Sequence, residues 1–226
     1  MISKFKVFAA AAIIAPVMYV CFVLLGGLLT PNYSSFTQTI STLIQSGAPY
    51  KAFLDTGFTL SNFCLTLFGY GLFELGRKRN NRSKAVTGLL LMLGGIGGVL
   101  MLLFSKDADS SVLTVTGFMH HFIVGGLTVT ALVSILFAEL AEIHDGKFRK
   151  YSNISLLLMF AFAVITVAAG FSKVSLVGLF ERITIILYLQ WLMVMAVVVL
   201  KHSAAGKKPK KIKSITEGIL YIIRGD

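Results

Sequence analysis

Eight ionisable side chains are predicted to share one end of the hydrophobic segments of this chain. They are Asp55, Lys106, Asp107, Asp109, His120, His121, Glu181 and Arg182. Histidine changes its charge between about pH 5 and 8, and arginine holds a carboxylate or phosphate with two parallel hydrogen bonds. Because charge near hydrocarbon is unfavourable, a set of such groups on one membrane face indicates a functional site.

Three interpretations of this set remain open. In the first, it forms an outer pocket that binds or moves a small polar molecule or a lipid head group. The candidate ligand-binding residues are Ser41, Asp55, Asp107, His120, His121, Glu181 and Arg182. In the second, the protein is an intramembrane enzyme in which an Asp-His pair acts as general base. In the third, it is a structural or partner-binding subunit, and the charges tie the helices together.

The spacing of the histidines argues against a metal centre. His120 and His121 point about 100° apart on a helix, whereas helical metal ligands are better spaced i, i+4. We expect one of them to face the bundle and to hydrogen-bond a carboxylate such as Asp107 or Asp55. We predict no metal and no cofactor. Asp109 fits a solvated turn and is the weaker candidate.

The segments that must position these residues are long and apolar. Of the 226 residues, 56% are hydrophobic and 14% are charged, against about 25% charged in soluble domains. Windows of about 20 apolar residues predict transmembrane helices at 7–29, 53–75, 85–104, 117–139, 153–171 and 181–200. We therefore predict an all-α, polytopic bundle of six helices over residues 1–203.

The distribution of basic residues predicts the orientation of this bundle. Of the 21 lysines and arginines, 17 fall in the N-terminus, in the linkers after the second and fourth segments, and in the tail. Cytoplasmic loops carry this excess, so both termini are predicted to be cytoplasmic in a cell membrane. The net charge of +11 thus indicates a lipid partner and no nucleic acid.

Two connecting segments have patterns of their own. In the first outer loop, Phe36, Ile40, Leu43 and Ile44 recur at helical spacing and predict a short amphipathic helix with Ser35 as its N-cap. Residues 204–226 form a basic, amphipathic tail. Its lysines are predicted to anchor it to anionic lipids at the cytoplasmic surface. They are Lys207, Lys208, Lys210, Lys211 and Lys213.

Several short motifs, in order, resemble a bacterial and archaeal family of six-helix membrane proteins known as domain of unknown function 998. The first loop matches a "YS...TIS.L...G.P" pattern through Tyr33, Ser34, Thr39, Ile40, Ser41, Leu43, Gly47 and Pro49. Further matches are Phe104 and Asp107 after the third segment, a histidine opening the fourth, "GL.ER" at Gly178, Leu179, Glu181 and Arg182, and Trp191. The resemblance covers about residues 5 to 200 and implies a shared polar site, without assigning an activity to it.

Overall fold

The computed structural model describes residues 2–108, 112–141, 145–172 and 174–204. Within these ranges the chain is helical and contains no β-strand. The α-helices are α1 (Ile2–Leu29), α2 (Lys51–Lys78), α3 (Arg82–Leu100), α4 (Val115–Ala141), α5 (Gly146–Phe171) and α6 (Val177–Ala204). Two short 3-10 helices occur in the connections, at Ile40–Ile44 and Met101–Leu103.

Five of the six predicted spans are long and apolar enough to cross a membrane, namely α1, α3, α4, α5 and α6. The second span forms a helix of 28 residues, about 42 Å long at 1.5 Å per residue, but it is more polar than the others. Helix α2 packs against both α1 and α3. Its composition fits these contacts, since Gly57 lies against Phe22 of α1 and the Ser61 hydroxyl donates to the Ala15 carbonyl at 2.8 Å.

The helices close into a ring in chain order, because each packs against the next and α6 packs against α1. The Leu179 backbone N–H donates to the Phe36 carbonyl at 3.0 Å, which joins the start of α6 to the first loop. At the opposite end, the Asn81 side chain donates to the Ala141 carbonyl at 3.1 Å. We call the first the loop end and the second, where basic residues are concentrated, the basic end.

The segment between α1 and α2, residues 30–50, covers the loop end and is called the cap loop below. Its 3-10 helix has five residues, and Ile40 and Leu43 are buried beneath it. The predicted Ser35 N-cap is wrong. The Gln38 N–H donates to the Ser34 carbonyl at 2.9 Å and closes a turn, so the 3-10 helix begins only after this turn. The residue that precedes the helix is Thr39, and its side chain makes no capping hydrogen bond.

The main hydrophobic core surrounds Trp191, which is completely buried. Its indole N–H donates to Ser152 at 3.1 Å. The neighbouring Gln190 accepts from Tyr151 of α5 and donates to Ser155 of the same helix at 3.4 Å. These contacts fix α6 against α5 beneath the loop end.

Several glycines allow the close approach of α2 and α3. A Cβ at Gly69 would lie 2.6 Å from the backbone nitrogen of Met92. A Cβ at Gly98 would lie 2.4 Å from the Asn62 side chain of α2. Gly94 and Gly98 also line a cavity. Gly125 of α4 has nothing within 4 Å of its Cβ position.

Candidate functional site

A cavity of about 250 Å³ lies inside the ring, beneath the cap loop. All six helices contribute to its wall. On α6 the lining residues extend from Glu181 to Leu192, a rise of about 16 Å at 1.5 Å per residue. The cavity therefore runs from the loop end towards the middle of the bundle.

Polar groups are graded along this cavity. Ser41, Asp55, His120 and Glu181 line it at the loop end. Below them the polar groups are hydroxyls and one amide, and the deepest lining residues are apolar. The apolar set includes Leu65, Ala131, Met159 and Leu192. The cavity thus has a polar head and an apolar floor, the arrangement that suits an amphiphilic molecule.

His120 is the histidine that faces the bundle. It is 1% exposed, whereas His121 is exposed and packs edge-on against it at 5.5 Å between ring centroids. The Nδ1 atom of His120 lies 2.9 Å from the Phe104 carbonyl oxygen. Because a carbonyl only accepts, Nδ1 carries the proton and Nε2 of the neutral ring is an acceptor. Nε2 has no hydrogen-bond partner among the described residues.

Among the described residues, the predicted hydrogen bond between an aspartate and a histidine is not formed. Asp107 lies outside the cavity wall and accepts from Thr114, at 3.0 Å from its backbone N–H and 2.6 Å from its hydroxyl. These two donors lower the pKa of Asp107 below its usual value. Thr114 in turn accepts from the Gly117 N–H at 3.1 Å, so Asp107 orders the first turn of α4. His120 uses a backbone carbonyl where we expected a carboxylate.

Arg182 also lies outside the cavity wall. Its guanidinium donates to the carbonyls of Gln38 and Gly178, both at 2.9 Å, and to the Tyr33 hydroxyl, and it stands over the Tyr33 ring at 5.6 Å. No carboxylate of the described residues pairs with it within 4.0 Å. Two of these bonds go to the cap loop and one to its own helix, so Arg182 joins the start of α6 to that loop.

Two carboxylates remain at the polar end of the cavity. Asp55 accepts from Lys51, one helical turn earlier, at 2.5 Å. Glu181 is partly buried and accepts from the Ile40 backbone N–H at 2.6 Å through Oε2. Lys106 lies near Glu181, but its ammonium donates to the hydroxyls of two cap-loop threonines, Thr39 at 3.1 Å and Thr42 at 3.0 Å. Burial lowers the pKa of Lys106, and Glu181 acts in the opposite direction.

One family model matches most of the chain. The family model described as "Protein of unknown function (DUF998)" matches residues 13–198. The chain belongs to this family. No curated protein and no solved structure matched the chain.

The two longest DUF998-like motifs meet in the structure. Gly178 is required because a Cβ there would collide with the backbone of Gln38 in the cap loop. Leu179, Glu181 and Arg182 then hydrogen-bond the loop at Phe36, Ile40 and Gln38, respectively. The "YS...TIS" and "GL.ER" motifs therefore form the two sides of one interface, which closes the loop end above the cavity.

The structure adds one buried acid that the sequence interpretation did not select. Glu139 of α4 is fully buried, and it accepts from the Asn153 side chain of α5 at 2.6 Å. Its second oxygen has no partner among the described residues. The signal was present in the sequence, since Glu139 is the last residue of the predicted fourth span, but at that position it marks a helix end as readily as a buried group.

Two predicted elements cannot be placed. The tail lysines 207, 208, 210, 211 and 213 and the residue Asp109 lie outside the described residues. Within the described residues, no group of three or more His, Cys, Asp or Glu side chains is arranged to hold a metal ion.

Proposed function

We propose that this protein is an integral membrane protein whose cavity binds an amphiphilic molecule through a hydrogen-bond-donating polar head. The composition of the polar end carries this proposal. Asp55, Glu181 and His120 offer acceptor atoms there, and no lysine or arginine belongs to the described cavity wall. Acceptors gathered in a low-dielectric site favour a ligand that brings ammonium or hydroxyl donors.

The contacts of Arg182 favour a ligand without an anionic head. An anionic head group would need the guanidinium, which is engaged by the cap loop. A cationic or neutral, donor-rich head needs only acceptors. The volume of about 250 Å³ is slightly below the range of about 300 to 1,000 Å³ typical of ligand pockets. It suits a head group together with the first part of an alkyl chain.

We further propose that α2 completes a six-span domain over residues 1–203 with both termini in the cytoplasm. The alternating arrangement of the connections supports this topology, because the α2–α3 and α4–α5 connections share the basic end. The excess of Lys and Arg at that end then follows the positive-inside rule. The loop end and the mouth of the cavity are extracytoplasmic in this arrangement.

In this topology the tail emerges on the cytoplasmic side. Lys207, Lys208, Lys210, Lys211 and Lys213 would bind the anionic lipids of that leaflet, at about 1 kcal/mol for each lysine near the surface. This anchor is independent of the cavity.

Native mass spectrometry of the protein purified in mild detergent tests the cavity proposal. Glu181→Gln keeps an oxygen for the Ile40 N–H and removes the charge. Glu74→Gln is the matched control, because Glu74 pairs with Lys78 near the basic end of α2. We expect a bound amphiphile in the wild type and the control, and its loss in Glu181→Gln. An unliganded wild type, or the same bound mass in all three proteins, would contradict the proposal.

A further inference from the structure

Helices α4 and α5 meet near the basic end and separate towards the loop end. On α4, Glu139, Leu132, Thr128, Gly125 and His121 follow one another at intervals of seven, four, three and four residues, so they form one stripe. Glu139 contacts Asn153 of α5, which shows that this stripe faces α5.

The upper part of the stripe, towards the loop end, is not packed against α5. A Cβ at Gly125 would have nothing within 4 Å, and His121 is exposed. Between residues 121 and 130 of α4 no side chain is fully buried, whereas Ala138 and Glu139 are completely buried. The separation of the two helices therefore begins above the Glu139–Asn153 contact.

Helix α5 presents an apolar face to the same opening. From Asn153, the residues at helical spacing are Leu157, Phe160, Val164, Val167 and Phe171. Each of these five side chains is more than half exposed. Together the two stripes form the walls of a wedge-shaped gap, which we call the α4–α5 cleft.

The cleft adjoins the cavity. Thr128, a member of the α4 stripe, lines the cavity together with Val124. On the α5 side the lining residue is Met159, near the floor. The upper part of α5 packs instead against α6, where Phe162 lies 6.5 Å from Phe180 between ring centroids. The cavity wall between α4 and α6 thus lacks a contribution from α5 at the level of the polar groups.

We propose that the ligand enters the cavity sideways from the bilayer, through the α4–α5 cleft, and that it is a single-chain lipid with an ammonium or polyhydroxyl head. This inference rests on the proposed function and specifies its ligand and its route. The head binds among Asp55, Glu181 and His120, and the alkyl chain follows the apolar floor and the cleft. An apolar opening at membrane depth admits a chain from the bilayer, whereas the cap loop covers the end that faces water.

Tryptophan fluorescence provides a direct readout. Trp191 is the only tryptophan of the chain, is fully buried, and stacks on Tyr188, which lines the cavity. Bromine atoms quench indole emission only at close range, so a brominated alkyl chain must enter the bundle to act. The probes are three brominated stearyl compounds that differ only in the head: a primary amine, a glycerol monoester and a carboxylate.

For the reconstituted wild-type protein we expect saturable quenching of Trp191 emission by the amine and by the glycerol ester. The carboxylate should quench no more than brominated bulk phospholipid does. Equal quenching by all three heads, or by none, would overturn the assigned ligand class. Native mass spectrometry measures separately whether binding of an amphiphile depends on Glu181. Failure of this inference is therefore distinguishable from failure of the proposed function.

Two adjacent glycines offer a matched pair for the route. Gly125→Phe places a ring in the cleft, while Gly126→Phe projects about 100° away, and both positions have nothing within 4 Å. We expect loss of quenching in Gly125→Phe and wild-type quenching in Gly126→Phe. Gly125→Leu repeats the block with a smaller side chain if the phenylalanine variant unfolds. Quenching that is unchanged in both Gly125 variants would exclude the cleft as the entrance.

Discussion

The Ile40 backbone N–H donates a 2.6 Å hydrogen bond to Oε2 of Glu181, although 141 positions separate the two residues. Ile40 begins the 3-10 helix of the cap loop, and Glu181 lies in the first turns of α6. The same carboxylate lines the cavity. One side chain therefore holds the loop and forms part of the polar end that we assign to the ligand.

Arg182→Ala is expected to destabilise the fold instead of selectively removing a ligand. The change leaves the Gln38 carbonyl and the Tyr33 hydroxyl without their charged donor, at a loss of about 1.5 to 3 kcal/mol for such a bond. Thermal unfolding followed by Trp191 emission measures the effect. Arg77→Ala is the control, because Arg77 is exposed and stands over Phe73 at 5.7 Å, as Arg182 stands over Tyr33. Equal melting temperatures for the two variants would argue against the role of Arg182.

Gly178→Ala tests the close approach of the cap loop to α6. Its methyl group would collide with the Gln38 backbone, and such overpacking reduces stability by about 1 to 3 kcal/mol. Gly170→Ala provides the comparison, since its Cβ would meet open space. Removing a helical glycine there should leave stability unchanged or raise it by up to about 1 kcal/mol. Similar unfolding midpoints for the two variants would show that the cap loop shifts and accommodates the methyl group at position 178.

Thr114→Val should weaken the protein more at neutral pH than in acid, because the Gly117 N–H loses its Thr114 acceptor at every pH, whereas the hydroxyl bond to the Asp107 carboxylate contributes only while Asp107 is ionised. The hydroxyl and N–H of Thr114 lower the pKa of Asp107 from the ordinary 3.8. A carboxyl group with a depressed pKa stabilises the fold above its unfolded pKa, and this contribution is lost as the pH falls through the folded pKa. Unfolding of both proteins between pH 7 and pH 3 measures the difference. A constant difference across this range would mean that Asp107 is not responsible.

Glu139→Gln is expected to be at least as stable as the wild type. The amide oxygen can accept the Asn153 hydrogen bond, and the change replaces a buried carboxylate whose second oxygen has no hydrogen-bond partner among the described residues. Glu139→Ala, in contrast, leaves the Asn153 amide unpaired and should lose about 1 to 3 kcal/mol. The melting temperatures of the wild type, Glu139→Gln and Glu139→Ala measure these differences in stability. A Glu139→Gln protein as unstable as Glu139→Ala would show that the negative charge itself is required.

The sequence predicts the helices well because each needs about 20 apolar residues, a local property. Helix α2 is less apolar because glycines and hydroxyl groups lie at its contacts with α1 and α3. Of the predicted site, Ser41, Asp55, His120 and Glu181 do line one cavity. Their common membrane face was sufficient to group them.

The roles of the remaining site residues depend on the directions of their side chains, which cannot be predicted from the sequence. Glu181 and Arg182 are neighbours, yet a rotation of about 100° per residue directs one to the cavity and the other to the cap loop. His121 points away from His120 for the same reason. The capture of Arg182 by backbone carbonyls could not be predicted, because any residue type supplies such an acceptor.

The closure of the ring has a consequence for biosynthesis. The cap loop leaves the ribosome early, but its partners Gly178, Glu181 and Arg182 belong to the last helix. Domains fold as their parts emerge, and contacts between distant segments form late. The polar end of the cavity can therefore be assembled only when translation has reached α6, so a chain arrested after α5 would hold an unfinished loop and no closed site.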